Sequence, residues 1–218
     1  MIAGQQGVIL LHGLARTRRS MRTLASCLQR QGYTVANVGY PSRRYPIETL
    51  ARKTLLAALA TLRQQGVNSI HFVTHSMGGI LLRVYLAEQS LPELGRVVML
   101  SPPNQGSELV DLFCRYAWFR FLFGPAGCQL GTNPNSLPNR LGPARFPLGI
   151  ITGNRPALGL AHFFSGPSDG KVAVERARLE GMADFLVLPY GHALIMVRRQ
   201  VQEQVIHFLR AGRFRRIV

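Results

Sequence analysis

Acidic residues are scarce in this sequence: ten Asp and Glu stand against 26 Lys and Arg, which gives a net charge of +16. So few carboxylates leave no acidic cluster that would suggest a Ca²⁺ site. Lysine is also nearly absent, and Lys53 and Lys171 are the only two. The positive charge is therefore almost all arginine, which favours anionic partners or a basic solvated surface. The arginines form short, scattered clusters: Arg16, Arg18, Arg19 and Arg22; Arg43 and Arg44; Arg198 and Arg199; Arg210, Arg213, Arg215 and Arg216.

Cysteine is rare too, since the sequence has only three. A small, odd number of cysteines argues against a framework of disulfide bonds. Cys114 and Cys128 can pair across one loop, but we expect two reduced thiols in apolar surroundings. No Cys and His residues have the spacing of a metal site. The sequence therefore predicts neither a metal nor a cofactor.

Long apolar runs are missing as well, because none reaches the ~18 residues that a membrane-spanning helix needs. The N-terminal sequence MIAGQQGVILLHG lacks the basic start of a signal peptide, so we expect a cytoplasmic protein. The composition is that of a globular protein, with 47% hydrophobic and 17% charged residues. A chain of 218 residues can bury the core of one domain, and we predict a single domain over residues 1–218.

Short, wholly apolar segments alternate with segments of helical periodicity along most of the chain. Strands that are apolar throughout are typical of a parallel sheet covered by helices on both faces. We therefore predict an α/β fold with a doubly wound, mostly parallel, six-stranded sheet, and chemistry at the carboxyl ends of its strands. The predicted strands are residues 7–11, 33–38, 70–74, 96–100, 146–152 and 184–189, and the main helices are residues 20–30, 47–63, 77–89 and 193–209.

The most informative stretch is SIHFVTHSMGGILL, residues 69–82. An apolar strand runs into Ser76, and two glycines then begin a new apolar helix. A serine on a tight strand-to-helix turn needs small neighbours, because backbone and helix pass close to it. The motif G-x-S-x-G is present with Thr74 in the first glycine position. Ser76 is therefore the candidate nucleophile, although a serine followed by a pair of glycines also occurs in ordinary turns between a strand and a helix.

A serine nucleophile needs a histidine base, and the histidine needs a carboxylate to orient it. In this type of fold the order along the chain is Ser, acid, His. His192 directly follows the last strand and suits the base, while Asp169 lies in a turn between Ser76 and His192. The weaker alternatives are His162 and His207 for the base, and Asp111, Asp184 and Glu175 for the acid.

An acyl-transfer site also needs two backbone N–H donors for the oxyanion. Met77 follows the nucleophile and is expected to supply one. Leu14, in the loop after the first strand, is expected to supply the other. His12 in the same loop is more plausible as a residue that shapes the loop than as a base, and we also count it among the tentative substrate contacts.

Residues 112–145 break the alternation and concentrate aromatic side chains, including the only tryptophan. One interpretation is a core helix followed by a long surface loop. The other is a cap over the strand ends whose aromatic side chains line an apolar substrate pocket. On the second interpretation we expect Trp118, Phe119 and Phe121 to contact substrate.

Together the segments VILLHGL, THSMGG, DGKV and YGH resemble, in content and order, the motifs of the α/β-hydrolase family. Within it, the chain is most similar to small bacterial lipases and esterases related to triacylglycerol lipases and to the PGAP1-like deacylases. In that group a segment like SPPNQGS, residues 101–107 here, follows the strand after the turn that carries the serine. The resemblance implies hydrolysis of a carboxylic ester through an acyl-enzyme, with Ser76, His192 and Asp169 as the triad. We expect the two antiparallel strands that open larger members to be absent, which would leave a minimal six-stranded core.

The leading hypothesis is a carboxylesterase or lipase that acts on apolar acyl esters, small or polymeric, with attraction to anionic membrane or polymer surfaces. A second hypothesis keeps the triad but makes the protein an acyltransferase or thioesterase. A third is a catalytically inactive basic binding module. We expect no specific nucleic-acid partner.

Overall fold

A computed structural model describes residues 5–157 and 159–216; the predicted domain limits at residues 1 and 218 lie outside them. The described part of the chain forms a six-stranded sheet in the order β2-β1-β3-β4-β5-β6, and every pairing is parallel. The predicted doubly wound α/β fold is thereby confirmed. The strands are β1 Gln6–Leu11, β2 Thr34–Val38, β3 Ser69–His75, β4 Leu94–Leu100, β5 Leu148–Gly153 and β6 Asp184–Leu188.

Helices cover both faces of the sheet. One face packs against α2 and α3, and the other against α1, α8 and a 3-10 turn at His192–Val197. The central strands are buried on both sides, which is why they read as continuous apolar runs, whereas the edge strands are half-buried. The helices are α1 Arg22–Arg30, α2 Ile47–Gln64, α3 Met77–Glu88, α4 Glu108–Phe113, α5 Ala117–Cys128, α6 Leu137–Arg140, α7 Val174–Ala177 and α8 Arg199–Ala211.

The strand register aligns the carboxyl ends of the central strands. Leu11 pairs with Thr74, and His75 pairs with Leu100. The residues that follow β1, β3 and β4 therefore emerge at one edge of the sheet, where α/β folds place their ligand sites.

Between β4 and β5 the chain forms α4, α5 and α6 instead of one crossover helix. The helix α5 is broken at Gly124, whose φ of 65° is outside the helical range. Arg83 on α3 holds this connection to the core: it donates to Asn104 and to the backbone oxygens of Pro138 and Gly142. Burial of this guanidinium lowers the pKa of Arg83 to about 10.

One expectation about the elements needs correction. The final helix does not run from residue 193 to residue 209, because the 3-10 turn His192–Val197 precedes α8 and the chain is extended at Arg198. None of the helices in the described ranges is long and apolar enough to cross a membrane.

Candidate active site

Ser76 lies on the turn between β3 and α3 with φ 52° and ψ −126°. Such a conformation costs a residue other than glycine about 1–3 kcal/mol and is concentrated at functional sites. The following helix passes so close to β1 that a Cβ on Gly78 would lie 2.7 Å from the Leu11 backbone oxygen. The predicted strand, tight turn and helix are confirmed, and the glycine is required by this close approach.

Three side chains from separate elements meet at this turn. His192 Nε2 lies 3.0 Å from Ser76 Oγ, and His192 Nδ1 lies 2.8 Å from Asp169 Oδ2. Ser76 follows β3, Asp169 lies in the loop after β5, and His192 follows β6. The structure therefore brings together the three residues that the sequence suggested, with the His192 ring between the other two.

The carboxylate of Asp169 is buried and fully engaged. Its Oδ1 accepts hydrogen bonds from the backbone N–H groups of Lys171 and Val172, both at 2.9 Å, while Oδ2 faces His192. Burial is the largest influence and opposes ionisation. The attraction to His192 and the hydrogen bonds to the carboxylate outweigh it, so the pKa of Asp169 is lowered. The site therefore holds a negative charge beside the imidazole.

This arrangement fixes the His192 tautomer. An ionised carboxylate can only accept, so Nδ1 carries the proton and donates it to Asp169. The lone pair of Nε2 then faces the Ser76 hydroxyl. The backbone N–H of His192 also donates to the backbone oxygen of Asp169, at 2.9 Å, which holds the two loops together. Such a network can take a proton from Ser76 and return it to a leaving group.

The alternative acids lie elsewhere. The Asp111 carboxylate accepts from Thr132, and Glu175 pairs with Arg178. Asp184 begins β6 at the opposite edge of the sheet, where it accepts from the backbone of the C-terminal segment. The alternative bases are also remote, on an exposed 3-10 turn and on α8: His162 and His207.

The backbone N–H groups of Leu14 and Met77 flank the turn that carries Ser76. Among the described residues, neither Leu14 N–H nor Met77 N–H donates to another protein group. Both residues border the turn, since a Cβ on Gly13 would lie 3.1 Å from Ser76 Cβ. They are the two donors that the sequence suggested for an oxyanion, and this placement is compatible with that role.

His12 does not contact the candidate pocket, contrary to our tentative expectation. Its ring is buried, stacks on Tyr40 at 4.0 Å, and donates from Nδ1 to the Gly13 oxygen. Burial is the main influence on this imidazole and lowers the pKa of His12. Its Nε2 accepts from the Tyr40 backbone N–H. His12 therefore stabilises the loop that carries Leu14.

A cavity of about 300 Å³ opens beside Ser76 and His192. Trp118 and Phe119 line it, as expected. Phe121 does not, because its side chain is 91% exposed on the outer side of α5. The apolar lining comes mostly from the β4–β5 connection and comprises Leu14, Leu109, Val110, Phe113, Trp118, Phe119, Leu122, Phe123, Leu130, Leu160 and Val172.

The expectation of two reduced thiols is wrong, because Cys114 and Cys128 form a disulfide. It joins the end of α4 to the end of α5, where their Cα atoms are 5.5 Å apart, a normal separation for this bond. The bond encloses the aromatic helix that lines the cavity. Disulfides are rare in cytosolic proteins, so this pairing weighs against the cytoplasmic location suggested by the N-terminal sequence.

Sequence reasoning missed His75, the residue before the candidate nucleophile. His75 is buried, and its Nε2 donates to the His192 backbone oxygen at 3.0 Å. Burial above all, and then repulsion from His192, hold the pKa of His75 well below its usual value. His75 therefore stays neutral and positions the loop of His192. Its place inside the motif around Ser76 is the signal that could have found it.

Among residues 5–157 and 159–216, no group of three or more His, Cys, Asp or Glu side chains is arranged to hold a metal ion. Arg16 and Lys171 also line the cavity, although the sequence suggested no role in the site for either residue.

Several solved structures share this fold at low sequence identity. The mature lipase BlEst2 of Bacillus licheniformis superimposes with a TM-score of 0.70 at 20% identity, over 96% of this chain and 93% of that one. The phospholipase PlaB of Legionella pneumophila superimposes with a TM-score of 0.73 at 20% identity, and the match covers 96% of this chain but 60% of the PlaB chain. A monoacylglycerol lipase of Paleococcus ferrophilus gives 0.63 at 15% identity, over 96% of both chains. No curated protein sequence matches the chain.

The sequence itself gives the family. A model described as "Alpha/beta hydrolase family" matches residues 8–211, which is nearly the whole chain. The matched region contains Ser76, Asp169 and His192 together with all six strands except the first two residues of β1. With its all-parallel sheet and its Ser-His-Asp network at the carboxyl ends of the strands, the chain belongs to the α/β-hydrolase family.

Proposed function

We propose that the protein is a serine carboxylic-ester hydrolase, an esterase or lipase that acts on apolar acyl esters. The observation that carries the proposal is the pair of linked hydrogen bonds from His192 to Ser76 and Asp169 at the mouth of an apolar cavity. The resemblance to a lipase, a phospholipase and a monoacylglycerol lipase supports a lipid ester as substrate.

The proposed reaction proceeds through an acyl-enzyme. Ser76 Oγ attacks the ester carbon while its proton moves to His192 Nε2, and the N–H groups of Leu14 and Met77 hold the oxyanion. The carbon–oxygen bond to the alcohol then breaks, and the alcohol oxygen takes the proton from Nε2. Water repeats the sequence and releases the acid, so one ester and one water give one acid and one alcohol. Asp169 orients the ring and stabilises its positive charge throughout.

The acyl chain is proposed to occupy the apolar cavity, with the β4–β5 connection as its cap. The outer side of this connection also exposes aromatic side chains, Tyr116 and Phe121 among them, beside Arg115 and Arg120. This mixture, together with the net charge of +16, supports attraction of the cap to an anionic membrane or polymer surface.

The direct test is a series of soluble p-nitrophenyl esters. We expect hydrolysis, with octanoate preferred over acetate, because each buried methylene contributes about 0.8 kcal/mol. Product analysis in the presence of added alcohol separates hydrolysis from acyl transfer, and an acyl-CoA substrate tests for a thioesterase. If none of the p-nitrophenyl esters is hydrolysed, the proposal is contradicted.

Phe119 and Phe121 provide a matched pair for the acyl cavity. Phe119 lines it and is 6% exposed, whereas Phe121, two residues away on α5, is 91% exposed. We expect Phe119→Ala to reduce the octanoate-to-acetate ratio of kcat/KM by about tenfold, since the substitution removes an apolar contact with the bound acyl chain. Phe121→Ala should leave the ratio unchanged. Equal effects of the two substitutions would place the acyl chain elsewhere.

A further inference from the structure

His192 lies between two cavities. The first is the apolar cavity of about 300 Å³, and the second, of about 180 Å³, opens on the loops after β5 and β6. Gly170, Lys171 and His192 line both. When the acyl chain fills the apolar cavity, the alcohol part of the ester is left to the second, because its oxygen must receive a proton from His192.

Three cationic side chains line these two cavities. Lys171 lines both, Arg198 lines only the second, and Arg16 lines only the first, which Ser76 also lines. Arg16 donates to the backbone oxygen of Ala193, the residue after His192. The three residues therefore come from the loop after β1, the turn that carries Asp169 and the end of the turn that begins at His192.

Arg16, Lys171 and Arg198 are not paired with an acid of residues 5–157 or 159–216. In the described part of the chain, no carboxylate oxygen lies within 4.0 Å of the charged nitrogens of Arg16, Lys171 or Arg198. Asp169 is the nearest acid in sequence to Lys171, but it already accepts from His192 and from two backbone N–H groups. Elsewhere the scarce acids do pair with arginine, as in Arg52–Glu88, Arg63–Glu93, Arg176–Glu108 and Arg199–Glu203.

Lys171 shows the effect of this crowding. Desolvation of its ammonium, and then repulsion from the Arg16 guanidinium, lower the pKa of Lys171, and the attraction to Asp169 offsets them only in part. A negative charge placed between the two side chains would relieve that repulsion. Lysine is rare in this chain, and the only other one, Lys53 on α2, lies over the Tyr45 ring away from both cavities.

We propose that the alcohol part of the natural substrate carries a phosphate group, which Lys171, Arg16 and Arg198 bind beside the scissile ester. A phosphate monoester carries up to two negative charges and several acceptor oxygens, which suits a group of cations better than a neutral alcohol does. This inference rests on the proposed ester hydrolysis and names its substrate class: acyl esters of a phosphorylated alcohol, such as an acylglycerol phosphate.

The test compares two substrates with the same acyl chain, a monoacylglycerol and the corresponding monoacylglycerol phosphate, at monomeric concentrations. We expect wild-type kcat/KM to favour the phosphate by about tenfold or more at low salt, because a hydrogen bond to a charged group is worth that much. The preference should shrink as salt screens the charges. Lys171→Gln, which keeps the backbone N–H that holds Asp169, should lower the phosphate-to-neutral ratio by about tenfold.

Lys53→Gln is the matched control, because it removes the same charge from the same residue type far from His192. It should leave the ratio unchanged. Two results would overturn the phosphate subsite while leaving ester hydrolysis intact. One is a wild-type phosphate-to-neutral ratio of kcat/KM near one, and the other is an equal loss of kcat/KM for both lipids in Lys171→Gln.

A binding measurement separates this inference from the proposed function. Calorimetry with Ser76→Ala protein needs no turnover, and we expect it to bind the monoacylglycerol phosphate at least about tenfold more tightly than the neutral lipid. Equal binding of the two lipids would overturn the subsite. Hydrolysis of p-nitrophenyl esters but of neither lipid by the wild-type protein would overturn the substrate class alone. Hydrolysis of none of these esters would overturn the proposed function, and with it the substrate class.

Discussion

Replacing Ser76 by alanine is expected to lower kcat/KM for p-nitrophenyl esters by about 10⁴-fold or more. The substitution removes the only atom that can form the acyl-enzyme, while His192, Asp169 and the N–H groups of Leu14 and Met77 remain. Alanine can be accommodated in the same tight turn, because the Gly78 approach to β1 does not involve the Ser76 side chain. The loss should therefore appear in turnover and not in the melting temperature.

Ser90→Ala is the matched control for this experiment. Ser90 is exposed just beyond the other end of α3, so the same change of side chain leaves the turn around Ser76 untouched. It should retain wild-type turnover and stability. Residual activity of Ser76→Ala close to that of Ser90→Ala would show that another group is the nucleophile.

Asp169→Asn is the second substitution with a large expected effect, a loss of about 10³- to 10⁴-fold in kcat. Asp169 Oδ1 accepts from the Lys171 and Val172 N–H groups, both at 2.9 Å, so the single oxygen of asparagine must stay at that position. Its NH₂ group then faces His192 Nδ1. Because this group donates, it favours the tautomer with the proton on Nε2, and the ring can no longer accept the Ser76 proton.

The control for Asp169→Asn is Asp111→Asn. It makes the same substitution at a residue that the sequence analysis considered as an alternative acid. Its carboxylate contacts Thr132 and not His192, so turnover should stay close to the wild-type rate. Near-normal activity of Asp169→Asn, or an equal loss in Asp111→Asn, would show that Asp169 does not orient the base. Glu175 would not be a simple substitute, because it pairs with Arg178.

Much of the fold could be predicted because it follows from local patterns. The strands of the sheet interior are apolar on both faces, and glycines such as Gly32 and Gly66 end the first two helices with positive φ. The break before α8 could not be predicted. In the sequence, the apolar residues of the 3-10 turn His192–Val197 continue the helical spacing of α8. The turn and the helix differ only in how they pack against the sheet, which the sequence does not show.

The triad candidates could be predicted because topology limits the choice. Residues that follow β3 and β6 reach one edge of a parallel sheet whatever the side-chain details, and three aspartates left few candidates for the acid. The pocket was harder to predict, since Phe119 and Phe121 look equivalent in sequence and differ only in which side of α5 faces the core. The Cys114–Cys128 disulfide and the approach of Lys171 to Arg16 depend on three-dimensional proximity, which spacing alone does not give.

The proposed ester hydrolysis depends on Ser76 being an activated nucleophile, and a fluorophosphonate probe tests this reactivity directly. Such probes react with a serine hydroxyl when a neighbouring base takes its proton. We expect intact-mass analysis to show one adduct per chain, and peptide mapping to place it on Ser76. Absence of labelling, or an adduct that persists in Ser76→Ala protein, would contradict the central claim.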